Sequence, residues 1–126
     1  MVKYIIEQEV EGDAFKEPHA LTIKHLAAPW TLGTTKIWMG MNEIQPHNCS
    51  NPHAHEDQEE VFFFLSGKGR VKVDDEEVKV SPGYCVFCPT GGVHQILNDG
   101  DSVLRFVSAT SPPFVREKFK ADHKLE

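Results

Sequence analysis

Turn-forming residues punctuate this chain at short intervals from Pro46 to Pro113, and that spacing restricts it to short strands. Gly67 and Gly69, Pro82-Gly83, Pro89 to Gly92 and Asn98 to Asp101 each close an apolar or alternating run of a few residues. Proline and glycine break helical interiors and mark turns, so no long helix fits between them. What fits are strands: Lys36 to Ile44, Val61 to Leu65, Val71 to Val73, Val78 to Val80, Tyr84 to Cys88, Val93 to Leu97 and Ser102 to Ala109. Short strands at close spacing describe an all-β sandwich or barrel. Val71–Val73 and Val78–Val80 are expected to form a hairpin with an acidic tip, and Asn98-Asp99-Gly100-Asp101 carries a second hairpin signal.

The block Val61-Phe62-Phe63-Phe64-Leu65 is apolar on both faces, which predicts a strand covered on both sides. Immediately before it stands His53-Ala54-His55-Glu56-Asp57-Gln58-Glu59-Glu60. Residues two apart on an extended chain share a face, so His53 and His55 can reach one point in space. Imidazole and carboxylate suit borderline divalent metals. His94, far along the chain, is the candidate third imidazole.

Composition bounds the rest. The chain has 126 residues and a formal charge of -6, which fits one domain and argues against nucleic acid as a partner. Met1 to Glu7 lacks a signal peptide's apolar stretch, no window has the ~20 apolar residues of a membrane-spanning helix, and three cysteines do not make a disulfide framework. The expectation is a cytoplasmic protein that neither crosses nor binds a membrane. Its organisation reads as an N-terminal arm (1–35), a barrel (36–111) and a C-terminal tail (112–126) in which Phe114 and Phe119 seat a short helix. Leu125-Glu126 has the look of a cloning scar. In the arm, His19 and His25 read as surface histidines and Trp30 as a packing residue. Cys85 and Cys88, three apart on a strand, point to opposite faces and read as buried structural thiols.

Two spaced motifs sharpen this picture. His53-X-His55 is followed after four residues by Glu60 and after six more by Gly67. Gly83, five residues, Pro89, one residue, Gly91, two residues, His94, three residues and Asn98 form the second. Across these positions the chain resembles a small single-domain cupin. Two positions depart from the family pattern: His47 stands where a glycine is usual, and Tyr84 where an aspartate often follows Gly83. Neither is a ligand position.

The resemblance implies a jelly-roll barrel (double-stranded β-helix). It also implies one divalent transition metal per chain (Mn, Fe, Ni, Co, Zn or Cu) held by His53, His55, Glu60 and His94. Glu59 is the rival carboxylate, and the step to Gly67 favours Glu60. A metal balanced by one carboxylate leaves the site locally cationic, so an anionic or chelating small molecule is the natural guest. Phe62, Phe64 and Ile96 should form its wall by alternation, with Arg105 a candidate for a substrate carboxylate. Phe62 replaces the tyrosine that some related lyases use, and it has no acid–base chemistry. Three readings stay open: a metal-dependent dioxygenase or decarboxylase acting on a carboxylate, enol or diketone; a non-catalytic ligand- or metal-sensing module; and a metal-independent isomerase. A homodimer is expected by the same resemblance.

Overall fold

The computed structural model describes residues 1–123; residues 124–126, and with them Leu125-Glu126, lie outside the described residues. The described elements are a 3₁₀ turn at Glu7–Glu9, then β1 (Asp13–Ala14), β2 (Leu21–Ala27), β3 (Trp38–Ile44), β4 (Glu59–Ser66), β5 (Gly69–Val73), β6 (Glu76–Val80), β7 (Cys85–Cys88), β8 (His94–Leu97), β9 (Leu104–Ser111) and α1 (Arg116–Asp122). The strands form two antiparallel sheets, one ordered β1-β2-β3-β9-β4-β7 and the other β6-β5-β8.

One apolar core joins the sheets. Trp38 and Ile44 of β3, Phe62 and Phe64 of β4, and Leu104 and Phe106 of β9 pack with Val71, Val80 and Ile96 of the smaller sheet. β4 and β9 of the larger sheet supply this core through every second residue, with buried and more exposed positions alternating. Fully burying one such side chain is worth about 1.5–3 kcal/mol. A slip of one residue would turn every inward group on a strand to the outside, so the phenylalanines that fill the core also fix where Glu60 points.

The structure departs from the sequence reading in instructive places. Residues 21–27, within the arm, form a full strand whose Leu21, Ile23 and His25 are buried. The outer face of β4 is not covered among the described residues: Val61, Phe63 and Leu65 are 38%, 45% and 38% exposed. Asn98 to Asp101 does not close a hairpin, since β8 pairs with β5 whereas β9 pairs with β3 and β4. The buried Asn98 amide instead donates to the carbonyls of Ile44 and Ser102 and holds a crossing between sheets. Cys88 is buried but Cys85 is exposed on the opposite face of β7, so only one thiol is structural in the expected sense.

Two backbone positions explain motif residues. Gly67 has φ +87°, and a Cβ there would lie 2.7 Å from the Val103 carbonyl oxygen, so β4 can leave its sheet only through glycine. His47, which replaces the usual glycine, itself adopts φ 60°, a left-handed conformation uncommon but accessible for histidine. No described helix is long and apolar enough to cross a membrane.

Candidate metal centre

The three histidines are brought together by backbone pairing. His53 and His94 face each other across an isolated antiparallel bridge, with reciprocal N–H···O=C bonds of 3.1 and 2.9 Å. Their ring centroids lie 4.2 Å apart, and His55 joins them at 5.0 Å from His53 and 5.4 Å from His94. One nitrogen from each ring falls within 4.8 Å of the other two, so the cluster could hold a metal ion.

Glu60 points into the same space. Its Oε1 lies 3.6 Å from His55 Nε2 and 3.5 Å from His94 Nε2. Its Oε2 accepts a 2.9 Å hydrogen bond from Thr110 Oγ1, the residue directly opposite it on β9. Glu59, one residue earlier, is exposed.

Hydrogen bonding sets the rings. A carbonyl only accepts, so the 2.8 Å contact between His53 Nδ1 and the Asn51 oxygen puts the proton on Nδ1 and the lone pair on Nε2. His94 Nδ1 lies 3.2 Å from Cys88 Sγ. Burial, reinforced by the neighbouring His53 and His55, pushes the His94 pKa down to about 2, so this ring is neutral at any physiological pH. Burial, followed by the nearby carboxylates of Glu60 and Asp74, raises the Cys88 thiol to about 11 and keeps it protonated. His55 Nε2 is buried with no hydrogen-bond partner among the described residues. A buried polar atom left so costs about 1–3 kcal/mol. Imidazoles turned toward a carboxylate oxygen, one of them with its buried Nε2 unpartnered among the described residues, are a donor set that a divalent cation could satisfy.

The cavity around this cluster is lined by Phe62, Ile96, Trp38, Phe106, Phe114 and Phe119, among others. Phe64 packs against Phe106 in the core and lies off the lining. Arg105 is a correction: its neighbours Leu104 and Phe106 are the inward residues of β9, so its guanidinium lies on the outer side, paired with Glu7 and Glu43. Polar lining groups that the sequence reading did not place at the site include Asn42, whose amide donates 2.8 Å to Ser108 Oγ, and His19 and His123 from outside the barrel motifs. The sequence reading makes His19 a surface histidine of the arm, and His123 the end of a tail expected to pack back.

Three comparisons place this geometry among known proteins. TcmJ of Streptomyces glaucescens, described as a tetracenomycin polyketide synthase protein, is 29% identical over 87 residues, covering 69% of this chain and 58% of that one. The chain spans between half and two thirds of the length of the relatives it matches by sequence. Among solved structures, KdgF from Halomonas sp. superposes with a TM-score of 0.79 at 16% identity, covering 93% of this chain and 99% of that one. A predicted oxalate decarboxylase from Thermotoga maritima gives 0.77 at 20% identity, covering 88% and 98%. At such identities the structural likeness shows the fold alone. Residues 40–110, however, match the cupin domain family and take in both histidine motifs. The chain belongs to the cupin domain family.

Proposed function

We propose that the chain is a mononuclear divalent-metal cupin that binds a small oxygenated anion or chelator and transforms it by dioxygenation or decarboxylation. One observation carries this reading: Glu60 Oε1 stands 3.5–3.6 Å from two histidine Nε2 atoms while Thr110 occupies its other oxygen. His53, His55, His94 and Glu60 would hold the metal, which when bound supplies Lewis-acid polarisation and a template for the guest. The apolar wall of Phe62, Ile96 and Phe106 excludes water and strengthens every charge interaction inside. Asn42 and Ser108 offer the guest neutral hydrogen-bonding groups. The guest class draws support from two relatives' descriptions, since oxalate is a chelating dicarboxylate and polyketides carry oxygenated carbon chains.

A non-catalytic binding module is the second reading. What favours it is that, beyond the four ligand positions, the barrel motifs put no acid or base on the cavity lining; Phe62 is inert, and His19 and His123 come from the flanks. Titration calorimetry of the metal-loaded chain with oxalate and with an aliphatic 1,3-diketone, followed by dioxygen-consumption and carbon-dioxide-release assays on whichever binds, separates the two. Binding with turnover supports the enzyme, binding without turnover supports the module, and no binding by either probe contradicts the guest class.

Self-association belongs to the same proposal. On the outer face of the larger sheet, Met39, Val61, Phe63 and Phe87 occupy adjacent registers with Ala109 and Val107 between them. An apolar face of this kind favours a second copy. Light scattering should report a dimer; a monomer contradicts it.

A further inference from the structure

The cavity lining is buried except along one rim. Phe15 and His19 come from the segment preceding β2, Asn51, Pro52 and His53 from the loop before β4, and His123 from the end of α1. Phe15 and His123 approach across this rim with ring centroids 6.2 Å apart. The wall on this side is one helix thick. Phe119 and His123 line the cavity, one turn apart, while Glu117, Lys118 and Lys120 are exposed to solvent.

What holds that wall is unlike what holds the barrel. Among the described residues, no backbone hydrogen bond joins α1 to a strand. Its described attachments to the rest of the chain run through side chains. These are aromatic packing of Phe119 on Trp38 and His25, and of Phe114, just ahead of the helix, on Trp38; the His123 ring against His53; a 4.0 Å ion pair of Lys118 with Asp57; and a set of polar contacts centred on Asp13. Arg116 donates from Nη1 and Nη2 to the two Asp13 carboxylate oxygens at 2.7 and 3.2 Å, and its guanidinium lies 5.6 Å from the centre of the Trp30 ring. Trp38 Nε1 can only donate, so its 3.1 Å contact makes His25 Nδ1 the acceptor and leaves the proton of the neutral ring on Nε2. That N–H donates 2.7 Å to Asp13 Oδ2. Its 3.2 Å approach to Arg116 Nη1 is therefore between two donors that share one carboxylate. Asp13 stands two residues before Phe15, and Arg116 seven before His123. The ion pair thus clamps together the two segments that frame the mouth.

We propose that α1 is the gate of the metal cavity, latched to the N-terminal segment by Asp13 and Arg116, and that small guests pass when this latch opens. The proposal rests on the reading of the cavity as a metal site. A helix tethered by side chains opens at lower cost than strands in a ladder, and segments over ligand sites belong to this less stable class. Removing one partner of a charge-assisted pair should raise the open population about tenfold.

The experiment uses the full chain and its Asp13→Asn and Arg116→Gln variants. Capture of Mn(II) by metal-free protein and its removal by excess EDTA are followed by stopped flow, and amide exchange is read at Phe119, His123 and β4. Capture and removal should both accelerate about tenfold, with the Mn(II) Kd held within about twofold. The α1 amides should exchange about tenfold faster while β4 is unchanged. Unchanged rates in both variants would overturn the gate. A loss of affinity through the removal rate alone, or faster exchange in β4 to match α1, would make the pair merely structural and overturn it equally. If the wild-type chain captures no Mn(II), the metal reading falls, and the exchange arm still decides whether α1 opens apart from the barrel.

Discussion

Thr110→Val is the sharpest probe of how the carboxylate is held. Thr110 is 1% exposed, and its hydroxyl gives Glu60 Oε2 a 2.9 Å hydrogen bond from the opposite strand. Valine keeps the shape and removes only the donor. A hydrogen bond to a charged group contributes about 1.5–3 kcal/mol, and loss of an outer partner of a metal ligand typically costs 10–100-fold in affinity. The two figures agree, since tenfold corresponds to about 1.4 kcal/mol. The metal Kd, measured by competition against a chromogenic chelator, should therefore weaken by one to two orders of magnitude. In a Glu60→Gln background the same change should cost much less, because the charge that Thr110 stabilises is gone. A metal Kd unchanged by Thr110→Val would refute the reasoning, as would an equal loss in both backgrounds.

The two neighbouring carboxylates separate by the same assay: Glu60→Gln should weaken metal retention far more than Glu59→Gln, and equal losses would undo the assignment of the inward acid. Stability of the metal-free chain should fall on acidification from pH 7.5 to 5.5. Burial lowers the folded-state pKa of His25, partly countered by Asp13, and burial lowers that of His94 to about 2. The unfolded chain then binds more protons below about pH 6.5, so stability drops as pH falls, by about 1–3 kcal/mol in total over this range. Asp13, whose pKa is lowered by Arg116 and His25 against the raising effect of burial, adds to this loss only below the ordinary carboxylate range. Urea titrations at the two pH values check the sign; a flat or rising stability would contradict it.

Much of the centre was legible because strand geometry is periodic. The inward phenylalanines of β4 carry Glu60 with them, whereas His53 and His55, expected on one strand face, lie ahead of β4 and meet through the isolated bridge of His53 to His94. Thr110 was not legible, because its role depends on the register between β4 and β9, a pairing of residues 50 positions apart. Arg105 shows the reverse case. Leu104, Phe106, Ser108 and Thr110 alternate inward along β9, so the pattern already excluded an inward Arg105. The strand Leu21–Ala27 also carried its alternation, obscured by Pro18 and Pro29 on either side. The exposed face of Val61, Phe63 and Leu65 could not be anticipated from the strand alone, since apolar residues on both faces predict burial without saying whose surface supplies it. His25 belongs to the same kind: its burial follows from a tail more than 90 residues away.

The proposed function requires that the cluster of His53, His55, Glu60 and His94 hold a metal. Elemental analysis of the purified 126-residue chain, after loading with Mn, Fe, Co, Ni, Cu or Zn and removal of excess ion, tests this most directly. The prediction is about one divalent ion per wild-type chain and a large loss in His94→Ala. Near-zero metal in the wild type, or full occupancy retained in His94→Ala, would contradict the central claim.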